Sequence, residues 1–216
     1  MQKGMVEVQV APCSSAAFQN RLAEKRGWIH ISTGDLLRDA VRNRTPLGLT
    51  VEQVMRDGLL VSDATVIDII DDRLAQKDCA RGFILDGFPR TIGQGEALDG
   101  VLSARKTPLD LVIAFEVPDA AIIERITGRR SCPKCQTPYH ARFVPPKKAG
   151  FCDKDGTALI QRPDDMEDRV RTRLAKYHGE TAPLIPFYER RGIVRKIDGT
   201  ATPDAVNRAL EQALGS

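Results

Sequence analysis

The chain has 216 residues, enough to bury a substantial core in one main unit with insertions. Lys and Arg number 32 against 29 Asp and Glu, a net charge of +3 in which no long basic block marks a nucleic-acid binder. No apolar run reaches the roughly 18 residues of a membrane span, residues 1–10 lack the apolar core of an export signal, and five cysteines without that signal suit a reducing cytoplasm. Val6–Val10, in which Glu7 and Gln9 alternate with valines, Trp28–Ile31, Gly82–Asp86, Leu111–Val117 and Ile193–Ile197 read as parallel strands. Helical patterns lie at about 13–26, 35–57 with a break near Pro46, Leu47 and Gly48, 63–76, 91–104 and 119–127. C-terminal helices are expected at 166–179, 180–191 and 202–214, the last opened by Thr202-Pro203-Asp204. This alternation predicts an α/β fold, a doubly wound core around a five-stranded parallel sheet. Residues 1–31, 62–127 and 166–216 would make the core. A helical insertion at 32–61 and a loop-rich one at 128–165 would cover the strand ends as lids.

Residues 82–94, GFILDGFPRTIGQ, concentrate the chemistry. Ligands of open α/β sheets bind beyond the carboxyl ends of the strands, where Asp86 and Arg90 emerge. An Arg fork suits a phosphate, and a strand-end Asp suits the hydration shell of Mg²⁺. Gln94 offers the donor and acceptor needed to read an adenine edge. A plain strand-to-helix turn explains the Gly and Pro but not Asp, Arg and Gln together.

Cys132-Pro-Lys-Cys135 and, after sixteen intervening residues, Cys152-Asp-Lys-Asp155 form two knuckles. Three thiolates and a carboxylate are a legitimate tetrahedral zinc set, and four protein ligands make the role structural. Such a clip stabilises a segment too small for its own core. Cys13 and Cys79 lack this spacing and read as small apolar residues.

From about Arg21 onward the chain resembles the adenylate kinases, of the nucleoside monophosphate kinase family. The resemblance rests on Leu85-Asp-Gly-Phe-Pro-Arg-Thr91, on Ile31-Ser-Thr-Gly-Asp35 with Arg38, and on Gly58-Leu-Leu-Val61. Gly128-Arg-Arg130, Arg162 with Asp164-Asp165, then Arg171 and Arg173 extend it, and the Cys-Asp array matches the zinc-bearing long lids of many bacterial members. It implies reversible, Mg²⁺-dependent transfer of a phosphoryl group from ATP to AMP, giving two ADP, by a monomeric protein. Thr33, Arg38 and Arg90 would hold the AMP phosphate. Backbone groups of Leu59, Leu60 and Val61 would line the adenine and ribose, Gln94 would read the base, and Gly87, Phe88 and Pro89 would also meet AMP. Arg125, Arg129, Pro138, Tyr139 and Ala201 would meet ATP. Arg162 and Arg173 would reach AMP and the transferred group, with Asp86 on the hydrated metal and Asp164-Asp165 as arginine partners.

The resemblance fails in one place. Where the family carries G-x-P-G-x-G-K-G-T after the first strand, this chain has Val10-Ala-Pro-Cys-Ser-Ser-Ala-Ala-Phe18. No Gly lies between Gly4 and Gly27 and no Lys between Lys3 and Lys25. Backbone N–H groups free to curl round phosphates, and an ammonium on their oxygens, are what that loop supplies. Without them this sequence is expected to handle ATP poorly, and a non-catalytic AMP-binding or regulatory protein is the alternative. A zinc-ribbon nucleic-acid binder fits poorly, because no basic and aromatic stripe flanks the knuckles.

Overall fold

Phe83, Ile84 and Leu85 are each 0% exposed, the burial expected of a strand covered on both faces. The computed structural model, which describes residues 3–8, 22–56 and 61–215, shows how. Strands β1 (Lys3–Val8), β2 (Ile29–Ser32), β3 (Gly82–Asp86), β4 (Leu109–Glu116) and β7 (Val194–Asp198) form one parallel sheet, in the order β2-β3-β1-β4-β7. A separate antiparallel hairpin joins β5 (Arg129–Ser131) to β6 (Pro138–His140). β1 is paired on one side from Lys3 with Gly82 to Glu7 with Asp86, and on the other with β4. The crevice beyond its carboxyl end is thus a topological switch point, where doubly wound folds take their ligands.

Residues 22–26 form helical segment α1. The other helices are α2 (Thr33–Arg42), α3 (Pro46–Arg56), α4 (Asp63–Leu74), α5 (Ile92–Ala104), α6 (Asp119–Thr127), α7 (Glu167–Lys176), α8 (Leu184–Glu189) and α9 (Pro203–Gly215). Strand alternation divides the core. Phe83 and Leu85 pack with Ile70 of α4, Leu98 and Leu102 of α5, and Leu184 and Tyr188 of α8. Ile84 faces the other way, with Leu22 of α1, Ile113 and Phe115 of β4, and Leu210 of α9. A large apolar side chain so enclosed contributes about 1.5–3 kcal/mol. Ile122 and Ile126 of α6 meet Val170 and Leu174 of α7 in a satellite cluster.

Several boundaries differ from the sequence expectation. The helical insertion breaks at 43–45, ahead of Pro46. Arg44 takes a left-handed φ of 51°, and Pro46 begins α3. A proline's fixed φ and missing N–H suit a first helical position, so it starts this helix instead of interrupting it. Gly48 permits α3 to lie on α2, because a Cβ there would stand 2.1 Å from the Ala40 carbonyl oxygen. α7 and α8 are bridged by a π-helical turn, Tyr177–Thr181, which spans the boundary between the helices expected at 166–179 and 180–191. β1 begins at Lys3, earlier than the expected Val6; Gln9 and Val10 lie outside the described residues, as do 13–21 of the helix expected at 13–26. No helix of the described residues is long and apolar enough to cross a membrane.

Candidate active site and metal cluster

β3 ends at Asp86, and Gly87 turns the chain out of the sheet with a φ of +73°. A Cβ on Gly87 would come within 3.0 Å of Arg90 Nη2 and 3.3 Å of Thr33 Oγ1. Glycine is required here for both its backbone and its small size. Ser32 caps α2, its hydroxyl accepting from the Asp35 N–H at 3.3 Å. Thr33, 4% exposed, instead donates its hydroxyl to the Gly87 carbonyl at 3.0 Å, joining α2 to the turn. Phe88 is buried beneath the turn, and the Phe88–Pro89 peptide is cis.

Arg90 Nε donates to the Gly87 carbonyl at 2.7 Å, and its backbone is held from two directions. Its N–H donates to Gln94 Oε1 at 2.7 Å, and its carbonyl accepts from Thr181 Oγ1 of the π-helical turn at 2.7 Å. Burial pulls the Arg90 guanidinium down to about 10, the Arg173 and Arg38 cations add to the shift, and Asp86 opposes it. The group is still a cation at neutral pH, but one short of compensating charge. Arg162 and Arg173 are lowered likewise, first by burial; Arg129 and Arg38 push each further down, while Asp164 and Asp165 resist. Arg90, Arg162 and Arg173 thus feel the charge of arginines that come from separate segments, Arg38 of α2 acting on all three.

Their carboxylate partners are few. Arg129 forms a bidentate pair with Asp165, which is 0% exposed, through Nε to Oδ2 at 2.8 Å and Nη2 to Oδ1. That pair holds the Arg129 cation above its ordinary value against burial. Arg173 stands 3.8 Å from Asp164, and Arg38 Nη2 donates to Asp35 at 2.6 Å. Asp86, expected near the magnesium, lies 3.3 Å from His30 Nε2.

Gln94 is 2% exposed. Its oxygen accepts from Arg90, and its Nε2 donates to Asp63 Oδ1 at 2.7 Å. Asp63 Oδ2 also accepts from Thr91 Oγ1 at 3.0 Å, the hydroxyl that caps α5. Val61 packs against the larger core cluster; Leu59 and Leu60 lie outside the described residues, as does the segment 10–18.

Arg125 Nη1 donates to the Gly199 carbonyl at 2.7 Å, tying α6 to the loop that carries Ala201. Tyr139 is 7% exposed and packs within the hairpin segment beside Cys132 and Cys152, its hydroxyl accepting from the Asp153 N–H at 2.8 Å. Pro138 is exposed. A cleft of about 530 Å³ opens beyond β4 and β7, lined by Glu116, Val117, Tyr177, Asp198 and Thr200 among others, and by none of the residues expected in the site.

Cys132, Cys135, Cys152 and Asp155 bring one donor atom each to within 4.8 Å of one another. Cys135 Sγ lies 3.4 Å from Cys152 Sγ, and Cys132 Sγ 3.4 Å from Asp155 Oδ2. Metal–sulfur bonds of about 2.3 Å around a tetrahedral centre call for edges of this order. The knuckles repeat one construction. The Cys132 N–H donates to the Thr137 carbonyl at 3.1 Å and the Cys152 N–H to that of Thr157 at 2.8 Å. Gln136 and Gly156 take matching left-handed φ values of 58° and 70°. The four donors form a cluster able to hold a metal ion.

A model of the adenylate kinase family matches residues 11–193. This chain belongs to the adenylate kinase family. The adenylate kinase of Moorella thermoacetica is 49% identical over 186 residues, covering 86% of each chain. That of Paramagnetospirillum magneticum is 49% identical over 195 residues, 90% of each. That of Caldicellulosiruptor bescii is 45% identical over 206 residues, 95% of this chain and 96% of the relative. For a member of the adenylate kinase family, sequence reading left out His30, Asp63 and Thr181, each bonded to a residue expected in the site. None stands in a chemically distinctive run, and Thr181 is 91 residues from its partner, so no local pattern announces them.

Proposed function

We propose that this chain transfers a phosphoryl group reversibly from ATP to AMP, giving two ADP, with Arg90, Arg38 and Thr33 on the AMP phosphate. The observation that supports this reading is the gathering of Arg90, Arg162 and Arg173 beside other cations: each is lowered first by burial, Arg173 and Arg38 lower Arg90 further, and Arg129 and Arg38 lower the other two. Clustered, desolvated cations with, among the described residues, only Asp35, Asp164 and Asp165 paired to them favour a polyanion. Phosphoryl transfer needs little covalent chemistry, so positioned guanidiniums supply the charge stabilisation, with Arg129, Arg162 and Arg173 around the transferred group. Arg125 and Ala201 stand on the ATP side, with Pro138 and Tyr139 carried over it by the hairpin segment. Magnesium, when bound with ATP, neutralises phosphate oxygens, and Asp86 is the carboxylate that would orient its waters. Zinc is the ion proposed for Cys132, Cys135, Cys152 and Asp155, as a closed structural clip in a lid spanning 128–165. A helical AMP-binding unit at 32–61, a monomeric state and a cytoplasmic location belong to the same proposal.

The segment 10–18, with neither Gly nor Lys, favours a second reading in which AMP is bound but ATP is handled poorly. A coupled assay with ATP, AMP and Mg²⁺, run beside AMP titration, separates the two. Turnover on the order of 10²–10⁴ below that of a companion variant in which Val10–Phe18 is replaced by Gly-Ala-Pro-Gly-Ser-Gly-Lys-Gly-Thr is expected. A grafted chain that folds and binds AMP yet stays inactive would favour the non-catalytic reading.

A further inference from the structure

Gln94 is the one side chain expected to read the base, and an amide reads two ways. Presented one way round it offers an acceptor to the exocyclic N–H of adenine and a donor to adenine N1. Rotated by half a turn it offers the reverse, which suits the O6 acceptor and N1–H donor of guanine. Discrimination between the two bases therefore requires that the amide be held in one orientation.

Two partners hold it. The Arg90 N–H donates to Oε1 at 2.7 Å, and Asp63 Oδ1 accepts from Nε2 at 2.7 Å. Rotation would set the amide oxygen against the Asp63 carboxylate and the NH₂ against the Arg90 N–H, two like-pole contacts. The backbone N–H is present whatever the residue, so Asp63 is the side chain that supplies the choice. It is itself fixed, standing in the first turn of α4 with its second oxygen accepting from Thr91 Oγ1 at 3.0 Å. Thr91 in turn caps α5, the helix that carries Gln94. The two internal bonds use one N–H and one oxygen lone pair of Gln94, leaving one of each for a base.

We propose that Asp63 is a specificity-determining positioning residue: by fixing the Gln94 amide it selects adenine over guanine in the monophosphate. This rests on the reading of Gln94 given above. Calorimetric titration of the full chain with AMP and with GMP tests it, for the unaltered protein and for Gln94→Ala, Asp63→Ala, Asp63→Ser and Asp63→Asn. The unaltered chain binds AMP preferentially, and Gln94→Ala loses that preference. Asp63→Ala lowers the ratio of AMP to GMP affinity by about tenfold, the scale of one charge-assisted hydrogen bond. Asp63→Ser, one carbon too short to reach Gln94, does the same and covers a failure of the alanine variant to fold. Asp63→Asn, which keeps an acceptor oxygen, retains most of the preference. If both short variants weaken AMP and GMP alike, or leave the ratio intact while Gln94→Ala abolishes it, Asp63 is only structural and the inference falls alone. If Gln94→Ala leaves the ratio unchanged, the reading of Gln94 falls and takes the inference with it.

Discussion

Gly87 carries three demands at once: a left-handed φ of +73°, and room for Arg90 Nη2 and the Thr33 hydroxyl at 3.0 and 3.3 Å from where a Cβ would stand. Gly87→Ala should therefore cost about 1–2 kcal/mol in thermal unfolding from backbone strain alone. It should also weaken AMP by more than tenfold in titration, because Arg90 or Thr33 must move. Tyr188 makes the opposite case. Its ring is 0% exposed, packed with Phe83 and Leu98, yet among the described residues its hydroxyl has no hydrogen-bond partner. Burial, with Asp99 nearby, raises the phenol well above its ordinary value, as expected for a hydroxyl shut away from water. Removing an unpaired buried polar atom should stabilise, so Tyr188→Phe is expected to raise the melting temperature by about 2–4 °C, a gain of about 1 kcal/mol.

Between elements, the clearest electrostatic link joins α1 to α9. Lys25 Nζ lies 2.6 Å and Arg26 Nη2 3.0 Å from the two oxygens of Glu211. The Lys25 hydrogen bond, aided by Arg26 and opposed by burial, lowers the Glu211 carboxyl below its ordinary 4.5. A carboxyl whose folded value is depressed stabilises above its unfolded value, and the contribution disappears as pH falls through the folded one. The three side chains are solvent-accessible and screened, so Glu211→Gln should cost about 0.5 kcal/mol at pH 7. Thermal melts of the two proteins should converge once pH is well below the carboxylate range. The shift of the helix break from Pro46 to 43–45 carries a lesson of the same kind. Proline and glycine announce that something happens near them, but only packing of α3 on α2, through Gly48 against Ala40, decides on which side.

For the protein as a whole, the hairpin segment has almost no apolar support of its own: Tyr139, Cys132, Cys152 and Leu159 make up its cluster. A metal clip would then supply most of its stability. Chelation, or Asp155→Ala, should lower the melting transition of 128–165 and release one ion per chain by metal analysis. Hydrogen exchange should rise there and stay unchanged in β3 and β4. Unchanged protection on metal loss would mean that the segment stands without the clip.

Sequence alone determined the five parallel strands, most helices to within a few residues, the four-donor array and membership of the adenylate kinase family, each written in contiguous runs such as Gly82–Asp86 or Cys132–Cys135. Periodicity and knuckle spacing are local, and a linear reading catches them. Tertiary structure decided the partners. Asp63 meets Gln94 across 31 residues, Asp165 meets Arg129 across 36, and Thr181 meets Arg90 across 91. A lone Asp or Thr carries no local signal of such a contact, because its role depends on which side chain the fold sets opposite it. The depressed guanidinium of Arg90 is a property of that gathering: desolvation by the surrounding chain and repulsion from Arg173 and Arg38 exist only once distant segments are packed together.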